Sequence, residues 1–164
     1  MIHMMEWISL DEGIELMKNL VKFKVTSMPD FFMDRIVRVP SQEIVMNQIS
    51  DKIAAGGGSI RNMLQMEVKG GNSVNTSYAL AKLGINVELI VVADKSSENF
   101  LRKAFSGFSN VELSIVNGKP GYTVSLEFLN KKQKVNIMLS DAGSVSDFGP
   151  NKLLTDSWNK ISDS

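Results

Sequence analysis

Cysteine is absent from this 164-residue chain, and histidine occurs once, as His3. The first absence excludes disulfides and thiolate chemistry. The second leaves no basis for a zinc site, so no metal ligands are expected. No apolar run approaches ~18 residues, so no membrane span is expected. The opening residues, MIHMMEWISLDEG, lack the basic region and long apolar core of a signal peptide. No charge of one sign dominates: eighteen basic residues balance eighteen acidic ones, which argues against nucleic-acid or anionic-membrane partners. These absences agree with a cytoplasmic location. The Asn75-Thr76-Ser77 sequon carries no weight without a secretion signal.

Hydrophobic residues make up 43% of the chain, enough for the core of one ordinary domain. The ten methionines are scattered and are read as fillers of core gaps rather than metal ligands. Ser9 and Glu12 have capping-box spacing, and Leu10, Ile14, Met17 and Val21 recur with helical period, giving a short helix over residues 10–20. Val21, Phe23 and Val25 alternate with Lys22, Lys24 and Thr26, which predicts a strand with one buried face, ended by Ser27-Met28-Pro29-Asp30. A second apolar strand spans 31–39, interrupted by Asp34. Lone charges in such places are usually exposed or paired, but a carboxylate is also a good double acceptor for vicinal hydroxyls. Ile44, Val45, Ile49 and Ile53 then define one face of a helix over 41–55, and Gly56–Gly58 reads as a hinge without the lysine and hydroxyl of a phosphate loop.

The chemistry is expected in the stretch Met66–Gly84, MEVKGGNSVNTSYALAKLG. Leu64, Met66 and Val68 alternate with Gln65 and Glu67 in a strand that ends at Lys69. Gly70 and Gly71 break it and allow close backbone approach. Ser73 or Asn72 is expected to cap the next helix, whose apolar face is Val74, Tyr78 and Ala81, extended by Leu80 and Leu83; Gly84 ends it. Asn75 then falls in the first turn, beside unpaired backbone N–H groups that could face a ligand.

After Gly84 the order is strand (Ile85–Ala93, apolar enough for cover on both faces), capped amphipathic helix (Ser96–Phe105) and strand (Val111–Ile115), the alternation of an α/β sheet. Tyr122, Val124, Leu126 and Phe128, then Val135, Ile137 and Leu139, form a long hairpin with one apolar face, turning at Asn130–Gln133. A last helix is expected to bury Leu153, Leu154, Trp158 and Ile161.

Gly70-Gly71-Asn72-Ser73-Val74-Asn75, followed at the right distance by Leu83-Gly84, resembles the first signature of the ribokinase-like (PfkB) carbohydrate kinases, in which GGKGAN opens a helix ending in Leu-Gly. Asn72 replaces the lysine, Ser73 the small residue, and Asp94 a later glycine. Asp34 matches the family's substrate aspartate, which lies between a first strand and an apolar one.

The resemblance covers residues 21–164 and implies an α/β ribokinase-like half-fold. That is a mostly parallel sheet flanked by helices plus a small β-lid, in one incomplete domain over 1–164 with lid segments at 31–39, 59–69 and 121–139. The hairpin is either part of that lid, whose open face could pair with a second subunit, or is packed onto its own core. Asp34, Gly70, Gly71, Asn72 and Asn75 are the implied substrate-binding residues. Phe31, Met33, Tyr122 and Val124 are implied to shape the pocket.

A complete member is about twice as long and uses ATP and magnesium. Its GAGD sequence, which supplies the catalytic base and holds the transferred phosphate, does not occur here. The resemblance thus implies the N-terminal, substrate-binding part of an ATP-dependent sugar or nucleoside kinase. Alone, this part has no catalytic residues or cofactor, and its exposed sheet invites a homodimer or a companion C-terminal chain. The chain is then a truncated product, a split subunit or a cut piece. A non-catalytic sugar-binding or interaction module of the same fold is the alternative. A third reading, a small Rossmann-like nucleotide-binding domain using Gly70-Gly71, is disfavoured because the sequence lacks the third glycine and a well-placed acidic ribose ligand.

Overall fold

The computed structural model describes residues 9, 11–13, 15, 19, 23–130, 133–153 and 155–162. In chain order these form β1 (Lys24–Ser27), β2 (Phe32–Val39), α1 (Gln42–Ala54), β3 (Leu64–Gly70), α2 (Asn72–Lys82), β4 (Asn86–Ala93), α3 (Lys95–Phe105), β5 (Val111–Asn117), β6 (Gly121–Asn130), β7 (Gln133–Asp141), two 3-10 turns (Gly143–Asp147 and Pro150–Lys152) and α4 (Thr155–Ser162). Ser9 and Glu12 make the reciprocal capping-box bonds, while Leu10, Ile14, Met17 and Val21 lie outside the described residues, as do His3, Lys131, Lys132 and Leu154.

One sheet is parallel, in the order β1-β4-β5. Its central strand, β4, is buried on both faces, as its continuous apolar run predicts. Val87, Leu89, Val91 and Ala93 pack with Phe31, Val74, Leu101 and Phe105 into the main core. Each of these side chains except Ala93 contributes roughly 1.5–3 kcal/mol when fully buried. On the opposite face Ile90 and Val92 are covered, together with one charge, Glu88. Lys24 and Lys160 each approach the Glu88 carboxylate at 3.5 Å, and the Ser114 hydroxyl donates to it at 2.6 Å. Lys160 thereby ties α4 to the sheet.

The second sheet has the order β3-β2-β6-β7 and is mixed: β2 and β6 are parallel, and the outer pairs antiparallel. Cross-strand register assigns its faces. Asp34, Ile36, Val68, Met66, Thr123, Ser125 and Ser140 share one face, while Met33, Arg35, Glu67, Tyr122, Val124 and Leu139 share the other. Helix α1 covers only one end of the second face, through Val45 against Val39 and Phe128.

Several burial expectations are corrected. In α1 only Val45 is buried, and Ile44 and Ile53 are exposed, because the helix touches the sheet over a single short contact. Phe23 is exposed because β1 starts after it. In β3 Leu64 is 58% exposed, and in β7 Leu139 is 60% exposed. Within β6 the small hydroxyl residues Thr123 and Ser125 are buried, on the face where they lie between Asp34 and Ile36 of β2 and Ser140 and Met138 of β7, while Tyr122 on the other face is exposed. Trp158 is exposed and Ser157 is the buried residue of α4.

Candidate functional site

The site is built where β3 runs into α2. Gly71 has φ +93, a conformation that favours glycine, and a side chain there would collide with the Asp30 carbonyl. Gly71, not Ser73 or Asn72, is the N-cap of α2, and it offers no side-chain bond. The missing cap comes from the loop between β1 and β2. The Asp30 carboxylate accepts the backbone N–H of Asn72 at 2.6 Å, the backbone N–H of Ser73 at 2.8 Å, and the Ser73 hydroxyl. Burial pushes the Asp30 carboxyl up, but the combined bonds from Ser73 and Asn72 outweigh it and hold the group below its ordinary value. The helix N-terminus, the natural place for an anionic ligand, is therefore filled by a protein carboxylate.

At its other end α2 closes with the Gly84 N–H bonded to the Ala81 carbonyl and the Ile85 N–H to the Leu80 carbonyl, a Schellman arrangement with Gly84 at φ +78. Asp94, the departure from the family glycine, caps α3 by accepting the Ser97 N–H.

Asp34 stands on β2 directly opposite Val68 of β3 and Thr123 of β6. Its carboxylate lies over Gly70, where any Cβ would overlap it. Gly70 therefore exists to make room for Asp34. Partial burial raises the Asp34 carboxyl above its ordinary value, opposed by a hydrogen bond from Thr123. Asp34 and Asp30, four residues apart, are thus shifted in opposite directions.

The structure brings Asp34 and Gly70 into contact and places Gly71 and Asn72 against Asp30. Asn75 is exposed on the first turn of α2, and its backbone N–H closes that turn on the Gly71 carbonyl at 3.0 Å. That N–H is consequently satisfied within the helix.

The pocket-shaping expectation is corrected for Phe31, which is wholly buried in the main core. Met33, Tyr122 and Val124 line a cleft of about 290 Å³ together with Asp34, Arg35, Glu67 and Thr123. By register, the side chains of Met33, Tyr122 and Val124 lie on the face opposite those of Asp34 and Thr123. Arg35 and Glu67 form an ion pair there. Lys69, just before the glycine pair, stacks on the Tyr78 ring at 3.9 Å.

Sequence reasoning missed Asp30 and Thr123. Asp30 sits in a Pro-Asp turn that reads as ordinary punctuation, and its helix lies more than forty residues on. Thr123 reads as the solvent face of a hairpin.

No protein-family model and no curated protein matches this chain. Solved structures do. A carbohydrate kinase from Agrobacterium tumefaciens is similar over 84% of this chain and 42% of its own, with TM-score 0.56 and 17% identity. Fructokinase from Xylella fastidiosa is similar over 82% and 38%, with TM-score 0.55 and 13% identity. Adenosine kinase from Sinorhizobium meliloti is similar over 81% and 42%, with TM-score 0.51 and 13% identity. The chain spans about two fifths of the length of these structures. With its parallel sheet flanked by helices and its mixed four-stranded sheet alongside, it has a ribokinase-like half-fold.

Proposed function

We propose that this chain is the N-terminal, substrate-binding part of an ATP-dependent sugar or nucleoside kinase. The observation that carries the reading is the seat of Asp34 on Gly70, one residue before the turn that opens α2. A partly buried carboxylate with spare lone pairs suits the vicinal hydroxyls of a polyol. Gly71 lets backbone approach the ligand, and the exposed Asn75 amide offers a donor and an acceptor from the helix. Asn72 contributes its side chain only, since its backbone N–H is held by Asp30. The kinds of protein that share the fold, a carbohydrate kinase, a fructokinase and an adenosine kinase, support the substrate class.

The residues present do not fit a nucleotide site. The α2 N-terminus already holds a negative carboxylate, which repels phosphate. Among the described residues no group of three acidic or histidine side chains could hold a metal. In this reading ATP and magnesium belong with a GAGD segment that these residues do not contain, and without that segment they transfer no phosphate. Exposed apolar residues on both faces of the mixed sheet, such as Leu64 and Leu139, favour a companion chain or a second copy. They also favour the second reading, a non-catalytic sugar-binding or interaction module.

Calorimetry with ribose, fructose, glucose and adenosine tests the proposal. Binding of one of them, lost in Asp34→Ala, supports it. Heat that is identical for the wild type and Asp34→Ala across the panel rejects it. Addition of the GAGD-bearing segment of a similar kinase separates the two readings: sugar-dependent ATP turnover favours the kinase, and binding without turnover favours the module.

A further inference from the structure

Asp34, Thr123 and Ser140 stand in one row across β2, β6 and β7, each directly opposite the next. Thr123 is buried, its hydroxyl lies 3.1 Å from the Ser140 hydroxyl, and it stands directly opposite Asp34, whose carboxyl it draws down. A threonine hydroxyl has one proton and two lone pairs, whereas an ionised carboxylate only accepts. A Thr123 hydroxyl that turns its proton to Asp34 can only accept from Ser140, which orders the row: Ser140 donates to Thr123, and Thr123 donates to Asp34. Gly70 lies against the same carboxylate and leaves it room. A lone pair engaged by Thr123 in this way would hold the carboxylate in one rotation.

We propose that Thr123 is the positioning residue of this site, with Ser140 behind it, and that the ordered hydroxyl row presents Asp34 as a fixed pair of acceptors for a vicinal diol. This rests on the reading of Asp34 as a polyol-binding residue. Neither the glycine-pair motif nor the spacing around Asp34 points to Thr123; only the register of β6 beside β2 does. A bare carboxylate can accept two hydroxyls but must give up its rotation to do so. A tethered one meets two neighbouring hydroxyls together, so the tether favours diols over isolated alcohols.

The experiment compares Thr123→Val, which keeps the shape and loses the hydroxyl, with Thr123→Ser, which keeps the hydroxyl and loses the methyl. Two quantities are read: the Asp34 carboxyl carbon resonance in the ligand-free protein, and affinity for ribose and adenosine. The expected result is a displaced Asp34 resonance and about ten-fold weaker binding in Thr123→Val, the size expected when a hydrogen bond to a charged group is lost. Thr123→Ser should restore both. A role in packing alone predicts the reverse order, with Thr123→Val the milder change. Should Thr123→Val fail to fold, Ser140→Ala removes the next donor and is expected to shift the same resonance by a smaller amount.

Resonance changes as expected in a protein that binds neither probe would overturn the ligand reading and uphold the tether. Asp34-dependent binding that is unchanged in Thr123→Val and Ser140→Ala would overturn the tether and leave the ligand reading standing.

Discussion

The Asp30 carboxylate caps the helix that starts at Asn72 by accepting the Ser73 backbone N–H at 2.8 Å, 43 residues along the chain. The bond makes the turn after β1 and the glycine pair one unit. Removing the cap with Asp30→Ala is expected to cost about 0.5–2 kcal/mol, the range measured for lost caps. The pH dependence follows from the downward shift of the group. A carboxyl whose folded value is depressed lends stability that is fully present above its unfolded value and is lost as pH falls through the folded one. Denaturant melts should therefore show a gap between wild type and Asp30→Asn at pH 7 that closes as the solution is acidified below the ordinary carboxylate range.

Asp34 carries the opposite sign. Burial raises its carboxyl despite the bond from Thr123, so the ionised form opposes folding. That opposition is full above the raised folded value and vanishes as pH falls below the unfolded one. Asp34→Asn is accordingly expected to be as stable as wild type at pH 7, or more stable, while polyol binding is lost. Thermal melts paired with calorimetry check both halves. A residue kept for function at a cost in stability gives this pattern.

Gly70 is predicted to matter only because of Asp34. Its backbone is not in the left-handed region, so Gly70→Ala acts through the overlap with the carboxylate. Overpacking of this kind costs about 1–3 kcal/mol. In an Asp34→Gly background the same change should cost far less, and a double-mutant cycle of the two by chemical denaturation reads that coupling. Gly107→Ala, where an added Cβ meets nothing within 4 Å, is the neutral control.

Glu88 is wholly buried and is held by Lys24, Lys160 and Ser114. Replacing both lysines with methionine strands the carboxylate, and loss of a buried partner costs on the order of 3–5 kcal/mol. Glu88→Gln, which keeps a polar group without the charge, is expected to cost less at pH 7. Urea midpoints of the two variants decide the order.

The parallel core was legible because β4 is a continuous apolar run flanked by helices of clear period, and such runs admit few other arrangements. Gly84 announced the end of α2 for an equally local reason. The mixed sheet was legible as strands but not as faces. Alternation in Tyr122–Phe128 cannot say which side a neighbour covers, and burial of Thr123 and Ser125 depends on β2 and β7, not on β6 alone. The helix cap was misread at Ser73 because the rule that side chains cap their own helix was overridden by a distant carboxylate. Asp34 and Gly70 stood out as an interrupted strand and a broken one, but nothing in the chain could show that one sits on the other.

The account depends most on Asp34 and the glycine turn forming one ligand surface. Two-dimensional amide spectra recorded during titration with ribose, fructose and adenosine map that surface directly. Saturable shifts confined to Asp34, Gly70, Gly71, Asn75 and Thr123, and absent in Asp34→Asn, are the expected result. Shifts centred instead on Met33, Arg35, Tyr122 and Val124, whose side chains share the opposite face, would contradict it, as would spectra that no polyol perturbs.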